Sequence, residues 1–268
     1  MYTRRVRFVW ARRGGHASSA GCIRRSGRTR AGDDHASDYD KRAFVAGDVI
    51  RIAKFGTSSG INYKRTATGT WAPVDEANPM TTTGGEKFTA TFPSDFGGIQ
   101  PDQSTADDFW KSNQLSNTAT AQGNRASFTF APAACKITVI IIYEVDNDAQ
   151  GTTLTGKGLC SGNQSQNESI QLFQTNSSDN KKRHTYAGIF SPDAAVPYTI
   201  TVKASTFTEG KSYVEIGTGL TLKAGTEYQY TFTATSELIL NSVVVEDFAK
   251  DDTWNSGDGN EENAGNAT

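Results

Sequence analysis

Apolar and polar residues alternate with a period of two along most of this chain, starting near residue 44. Val49-Ile50-Arg51-Ile52, inside the stretch 43–55, sets the pattern of a strand with one buried face. Residues 61–63, 69–74 and 86–93 read as further short strands. Turn residues at 56–60, Asn78-Pro79 and Gly84-Gly85 separate them. The alternation breaks at 102–116, which reads as a short helical or looped insertion capped by Asp102 or Ser104 and pinned to a core by Phe109-Trp110. Residues 126–130 form another expected strand, and Pro132 marks a boundary.

The second half opens on a run from Ile137 to Tyr143 that is β-branched at nearly every position. Such a run suits a central strand covered on both faces. Residues 147–182 are rich in Gly, Asn, Gln and Ser, with weaker strand patterns at 151–156 and 169–174. Stronger ones follow at 184–190, 196–204, 212–216, 227–235 and 238–248. About fourteen short strands in two groups, with no long amphipathic helix, predict an all-β protein of two tandem β-sandwich domains with Greek-key-type connections. The expected units are a basic leader at 1–43, sandwiches at 44–131 and 132–248, and an acidic tail at 249–268 in which Trp254 stands alone among polar neighbours.

Charge sharpens this division. The 268 residues carry a formal net charge of −2, but residues 1–43 hold eleven basic and four acidic residues, a net +7. The remainder holds sixteen basic and twenty-five acidic residues, a net −9, which excludes nucleic acid as the partner of the folded part. No stretch approaches the 18 consecutive apolar residues of a membrane-spanning helix. The leader has the basic residues of a secretory signal without its apolar run. It reads as a disordered basic segment or as a mistranslated start, against one local feature: Ser19-Ala20-Gly21-Cys22 resembles the end of a bacterial lipoprotein signal, making Cys22 a lipidation candidate.

Catalytic chemistry has little to draw on. His184 is the one histidine of the β region and no G-x-S-x-G turn is present, so no Ser-His-Asp set can be assembled. No phosphate-binding glycine motif precedes a helix. Cys22, Cys135 and Cys160 form neither a disulfide framework nor, with three histidines, a zinc cluster. Asp146-x-Asp148-x-Gln150-Gly151 matches the first half of a calcium loop, but Lys157 occupies the position that needs Glu, so a polar hairpin turn is the expected reading. No enzyme activity, cofactor or metal is expected. Trp71 and Trp110 are either core anchors or an aromatic platform for a sugar.

A string of spaced matches carries a resemblance. Phe44-x-x-Gly47-Asp48-x-Ile50-x-Ile52, Gly69-x-Trp71, Phe88-x-Ala90-x-Phe92-Pro93, Gln103-Ser104 with Asp107-Asp108-Phe109-Trp110, Ala133-Ala134-Cys135-Lys136-Ile137, Ala224-Gly225-x-x-Tyr228-x-Tyr230 and Val245-x-Asp247-Phe248 follow one another in order. Over 44–248 the chain resembles the fimbrillin-like, Mfa-like proteins of Bacteroides-type bacteria, the type V pilus subunits. That resemblance implies two transthyretin-like sandwiches, export as a lipoprotein to the outer membrane and cell surface, and assembly with other pilus subunits by strand exchange in a fimbrium. It also implies that an Arg-specific protease removes the first strand. Arg30, Arg42, Arg51 and Arg65 are the candidate cleavage sites. Taking 44–55 as the first strand, a cut after Arg42 leaves it in place and a cut after Arg51 or Arg65 removes it. Leu238, Leu240, Val243 and Val245 are the candidate donor-strand residues; the alternative is that their strand completes its own domain. A monomeric surface lipoprotein that binds a bacterial or host glycan or protein is the competing expectation.

Overall fold

The computed structural model describes residues 4–9, 44–176, 180–217 and 220–247, with 4–9 and 247 described by their backbone alone. In chain order the strands are β1 (Arg4–Val9), β2 (Val49–Lys54), β3 (Gly60–Arg65), β4 (Trp71–Pro73) and β5 (Lys87–Phe92). Helix α1 (Ala106–Lys111) precedes β6 (Leu115–Thr120), β7 (Arg125–Pro132), β8 (Cys135–Tyr143), β9 (Ala149–Lys157), β10 (Asn167–Gln171) and β11 (Phe173–Gln174). The last are β12 (Arg183–Phe190), β13 (Tyr198–Ala204), β14 (Phe207–Glu215), β15 (Thr226–Ala234) and β16 (Leu238–Asp247). The all-β expectation holds.

The first core is enclosed by one sheet in the order β1-β7-β6-β5-β2-β3-β4. Alternation places Ile50, Ile52, Phe88, Ala90, Phe128 and Phe130 on its buried face. Trp71 on β4 and Phe130 on β7 lie five strands apart, roughly 24 Å in a flat sheet at about 4.8 Å per strand. Both nevertheless meet the ring of Phe44, at centroid distances of 5.4 and 5.2 Å, and Phe92 joins them at 5.4 Å. The sheet therefore curls over on itself, and Phe44 holds it closed.

The second core lies between two sheets, β10-β9-β13-β14 and β11-β12-β8-β15-β16. Strand β8 is central and pairs antiparallel with β12 and parallel with β15. Its inner face, Cys135, Ile137, Val139, Ile141 and Tyr143, lines the core with Tyr198, Ile200, Tyr228, Tyr230 and Phe232. Lys136, Thr138 and Ile140 alternate with these residues and are buried too. On the same face of the sheet, where Ala187 lies opposite Thr138 and Ile189 opposite Lys136, Phe109 and Trp110 from the segment between β5 and β6 pack with Ala134, Ala187, Ile189, Ile99 and Phe173. This explains a continuous apolar run in a largely antiparallel sheet. On that face Lys136 and Glu227 form a buried ion pair at 3.1 Å, and the Thr138 hydroxyl donates to the same carboxylate.

A single amide ties this segment down. Gln103 is fully buried; its Nε2 donates to the Ile189 carbonyl at 2.7 Å and its Oε1 accepts from the Ile189 N–H at 2.7 Å. Strand β11 stops pairing with β12 at Ala187, so Gln103 continues the ladder two residues further along. The backbone reinforces it, with Gln103 N–H donating to the Gln171 carbonyl and Gln171 N–H to that of Pro101. Helix α1 is capped by Thr105, whose hydroxyl accepts from Asp108 N–H, rather than by Asp102 or Ser104. Asp102 and Ser104 bond each other in the preceding turn.

Replacing Gln103 with Ala strands two buried backbone groups of Ile189. Urea unfolding of the variant is expected to show a loss of roughly 2–6 kcal/mol, at 1–3 kcal/mol for each unsatisfied group. A change within experimental error would show that this amide does not tie the segment to the second sheet.

Candidate strand-exchange edges

The N-terminal stretch contributes a strand. β1 pairs antiparallel with β7 in six steps, from Arg4 opposite Phe130 to Val9 opposite Arg125. This corrects the reading of 1–43 as wholly disordered at residues 4–9. The alternation Arg5-Val6-Arg7-Phe8 carried the period-two signal beneath its charge. On its other flank β7 pairs with β6 only at Ala131 and Pro132, while Thr129 N–H donates to the Asn117 side chain. Between 125 and 130, β1 is thus the chief backbone partner of β7. The face it borders carries Ala126, Phe128 and Phe130 of the first core.

This changes the geometry of the candidate cleavage sites. Arg51 lies in β2, which pairs with β3 on one flank and β5 on the other, and Arg65 ends β3. A cut after either would remove Phe44, Ile50 and part of an interior strand. The Arg51 guanidinium also donates to the Ser58 carbonyl. Strand β1, in contrast, precedes the other strands and, among the described residues, is held on one flank. A cut anywhere between β1 and Phe44 frees it and leaves the keystone in place. Cys22, Arg30 and Arg42, like Trp254 and Phe248, lie outside the described residues.

The donor candidates sit in β16, which pairs with β15 along its whole length and so completes its own sheet. Leu238 and Leu240 pack against the second core. Val243 and Val245, opposite the buried Tyr230 and Tyr228, share the core face yet remain exposed.

The other residues singled out by chemistry are structural. Trp71 and Trp110 are both buried, so neither offers a platform to a sugar. The carboxylates of Asp146 and Asp148 face Lys182 and Lys181, at 3.5 and 3.0 Å, in a turn rather than converging on one point. Among the described residues no group of three His, Cys, Asp or Glu side chains could hold a metal ion. Cys135 and Cys160 are free thiols that burial pushes up to about 12 and about 11, so both stay protonated at neutral pH. A shallow open cleft of about 460 Å³ on the first sheet is lined by Arg51, Asn62, Val74, Asp75, Asn78 and Ser94.

No family model matches the chain, and no curated protein matches it. Solved structures do. A candidate cell adhesion protein from Bacteroides ovatus ATCC 8483 aligns over 77% of this chain and 89% of its own, with a TM-score of 0.52 and 15% identity. The two share a fold. A candidate cell adhesion protein from Bacteroides uniformis ATCC 8492 aligns over 76% of this chain and 93% of its own, at 14% identity and a TM-score of 0.49. A fimbrial assembly protein from Parabacteroides distasonis ATCC 8503 aligns over 75% and 90%, at 8% identity and a TM-score of 0.33.

His184 generates a pH prediction. It is fully buried, its Nδ1 lies 3.0 Å from the Tyr143 hydroxyl, and the Tyr143 ring meets it edge-on at 4.8 Å. Burial holds the imidazole below its ordinary value, against the opposing pull of the Asp148 carboxylate and the Asn147 backbone. The unfolded chain takes up this proton near the ordinary value of about 6.5 and the folded chain only at lower pH. The stability due to neutral His184 is therefore complete above about pH 6.5 and is lost as pH falls below it. Melting curves between pH 8 and 5 are expected to fall more steeply for the native chain than for His184→Gln; equal slopes would contradict this assignment.

Proposed function

We propose that this chain is a non-enzymatic fimbrial subunit of the cell surface, structural, tip or accessory, that assembles by β-strand complementation and contributes to adhesion. The observation that carries the reading is β1: an N-terminal strand paired along one flank, whose loss bares the β7 backbone from 125 to 130. A strand from another subunit that takes its place regains those hydrogen bonds and can set apolar side chains against the open core. The fold shared with a candidate cell adhesion protein agrees with this reading. In it, 44–131 and 132–248 are the two sandwich domains, and a cut after Arg30 or Arg42 releases β1. Phe44 stays in place after either cut. Where Cys22 is instead the outer-membrane anchor, processing of the lipoprotein signal ahead of it removes residues 1–21, and β1 with them. The donor is a strand carrying Leu238, Leu240, Val243 and Val245, supplied by a neighbouring subunit.

A second reading, a monomeric surface lipoprotein that binds a glycan, draws on the cleft around Arg51, Asn62 and Asn78, where polar side chains adjoin the exposed Val74. The two readings part on one gel. Material sheared from cells expressing the full-length chain is run in SDS without heating and detected with an antibody against 133–248. The subunit reading predicts a ladder that collapses to one band on heating. A single monomer-sized band in both lanes would contradict polymerisation and leave the monomeric reading.

A further inference from the structure

Six strands end the sheets described: β1, β4, β10, β14, β11 and β16. An exposed edge invites pairing with another chain, and folded proteins blunt their edges with short length, charge, proline or cover. Five of the six are blunted. β1 carries Arg4, Arg5 and Arg7. β4 has three residues and ends at Pro73, and β11 has two. β10 has five, and its Gln171 is bonded to Pro101 and Gln103. β14 carries Glu209, Gly210 and Lys211. β16 is the least protected among the described residues, its charges confined to Glu246 and Asp247 at one end and its one bulge at Asn241. It runs for ten residues without Lys, Arg or Pro, and leaves Ile239 49%, Val243 37%, Val244 38% and Val245 52% exposed.

The register of β16 says what fits that edge. Leu238 lies opposite Ala234 and Leu240 opposite Phe232, both on the core face. A bulge then leaves Asn241 unpaired, and beyond it Val243 lies opposite Tyr230 and Val245 opposite Tyr228, again on the core face. Ile239 and Val244, opposite Thr233 and Gln229, lie on the outer face. The sequence Leu-Ile-Leu-Asn-Ser-Val-Val-Val therefore presents the same pattern of faces read in either direction. Without the bulge, the second half would have its faces exchanged.

We propose that the free edge of β16 pairs antiparallel with β16 of a second copy of this chain, about a two-fold axis between Asn241 and Ser242. In that register Leu238 meets Val245, Ile239 meets Val244 and Leu240 meets Val243, each pair occurring twice and each on matching faces. Charge selects the direction. A parallel pairing would set the two Glu246-Asp247 ends against each other, whereas the antiparallel one places them at opposite ends of the joined sheet. There Glu246 falls near Glu237 of the other copy, an exposed repulsion that added salt screens.

The test uses the full-length chain in sedimentation velocity with added salt. Ile239→Lys and Val244→Glu alter exposed outer-face residues, and their melting curves verify that each variant is folded. The expected result is a native dimer that dissociates on dilution, loss of the dimer in each single variant, and its return when the two variants are mixed. In the mixed pair the ammonium introduced at position 239 of one copy faces the carboxylate introduced at position 244 of the other. A native chain that stays monomeric would overturn the proposal, as would variants that dimerise like the native chain or a mixture that stays monomeric. A chain that dimerises only after 248–268 are removed assigns the edge to its own tail, and overturns it too. The pairing belongs to the chain before assembly, with β16 still on its own β15; a β16 donated to a neighbour's β7 is no longer available for it, so dimer formation is read on unassembled chain and the SDS-resistant ladder is scored separately.

Discussion

A β-strand must find partners for two rows of backbone N–H and C=O groups, and the architecture here follows from how each row is satisfied. Strands β2 and β8 are paired on both flanks, and each carries fully buried apolar residues of its core. Strand β7 has no such security. Most of its partners between 125 and 130 come from β1, which joins the sheet from the far side of a long basic connection. The strand at the N-terminus is thus both needed by the sheet and removable without cutting through it.

The aromatic contacts around Phe44 make that removal tolerable. Because Phe44 bridges Trp71, Phe92 and Phe130, the sheet stays curled through contacts that do not involve β1. The second half contributes rigidity of another kind. The segment bearing Gln103, Phe109 and Trp110 leaves the first sheet and packs on Ala187 and Ile189 of β12, on the face of the second sheet that also holds the buried Lys136–Glu227 pair. A chain built this way can lose an edge strand while both cores remain closed.

Much of this was legible in the sequence. The alternation around Ile50 and Ile52, the run through Ile137 to Tyr143 and the aromatic pair Phe109-Trp110 each announced their burial through local pattern. What was not legible depends on partners remote in sequence. Val6 and Phe8 alternate with arginines, so charge pointed to a leader while period pointed to a strand, and only β7 decides between them. Gln103 looks like any polar loop residue until Ile189 is set beside it. Trp71 and Trp110 carry no mark that separates a sugar platform from a core anchor. The two-way symmetry of β16 exists only once the bulge at Asn241 is known.

The most direct test of the central claim is amide hydrogen exchange on the intact chain, on a chain trimmed to begin at Phe44, and on the assembled polymer. If β1 is the replaceable partner of β7, amides in 125–130 are protected in the intact chain, exchange rapidly in the trimmed monomer and regain protection in the polymer, while β2 and β8 stay protected throughout. Unchanged protection of 125–130 after trimming, or loss of protection in β2 alongside it, would contradict the account.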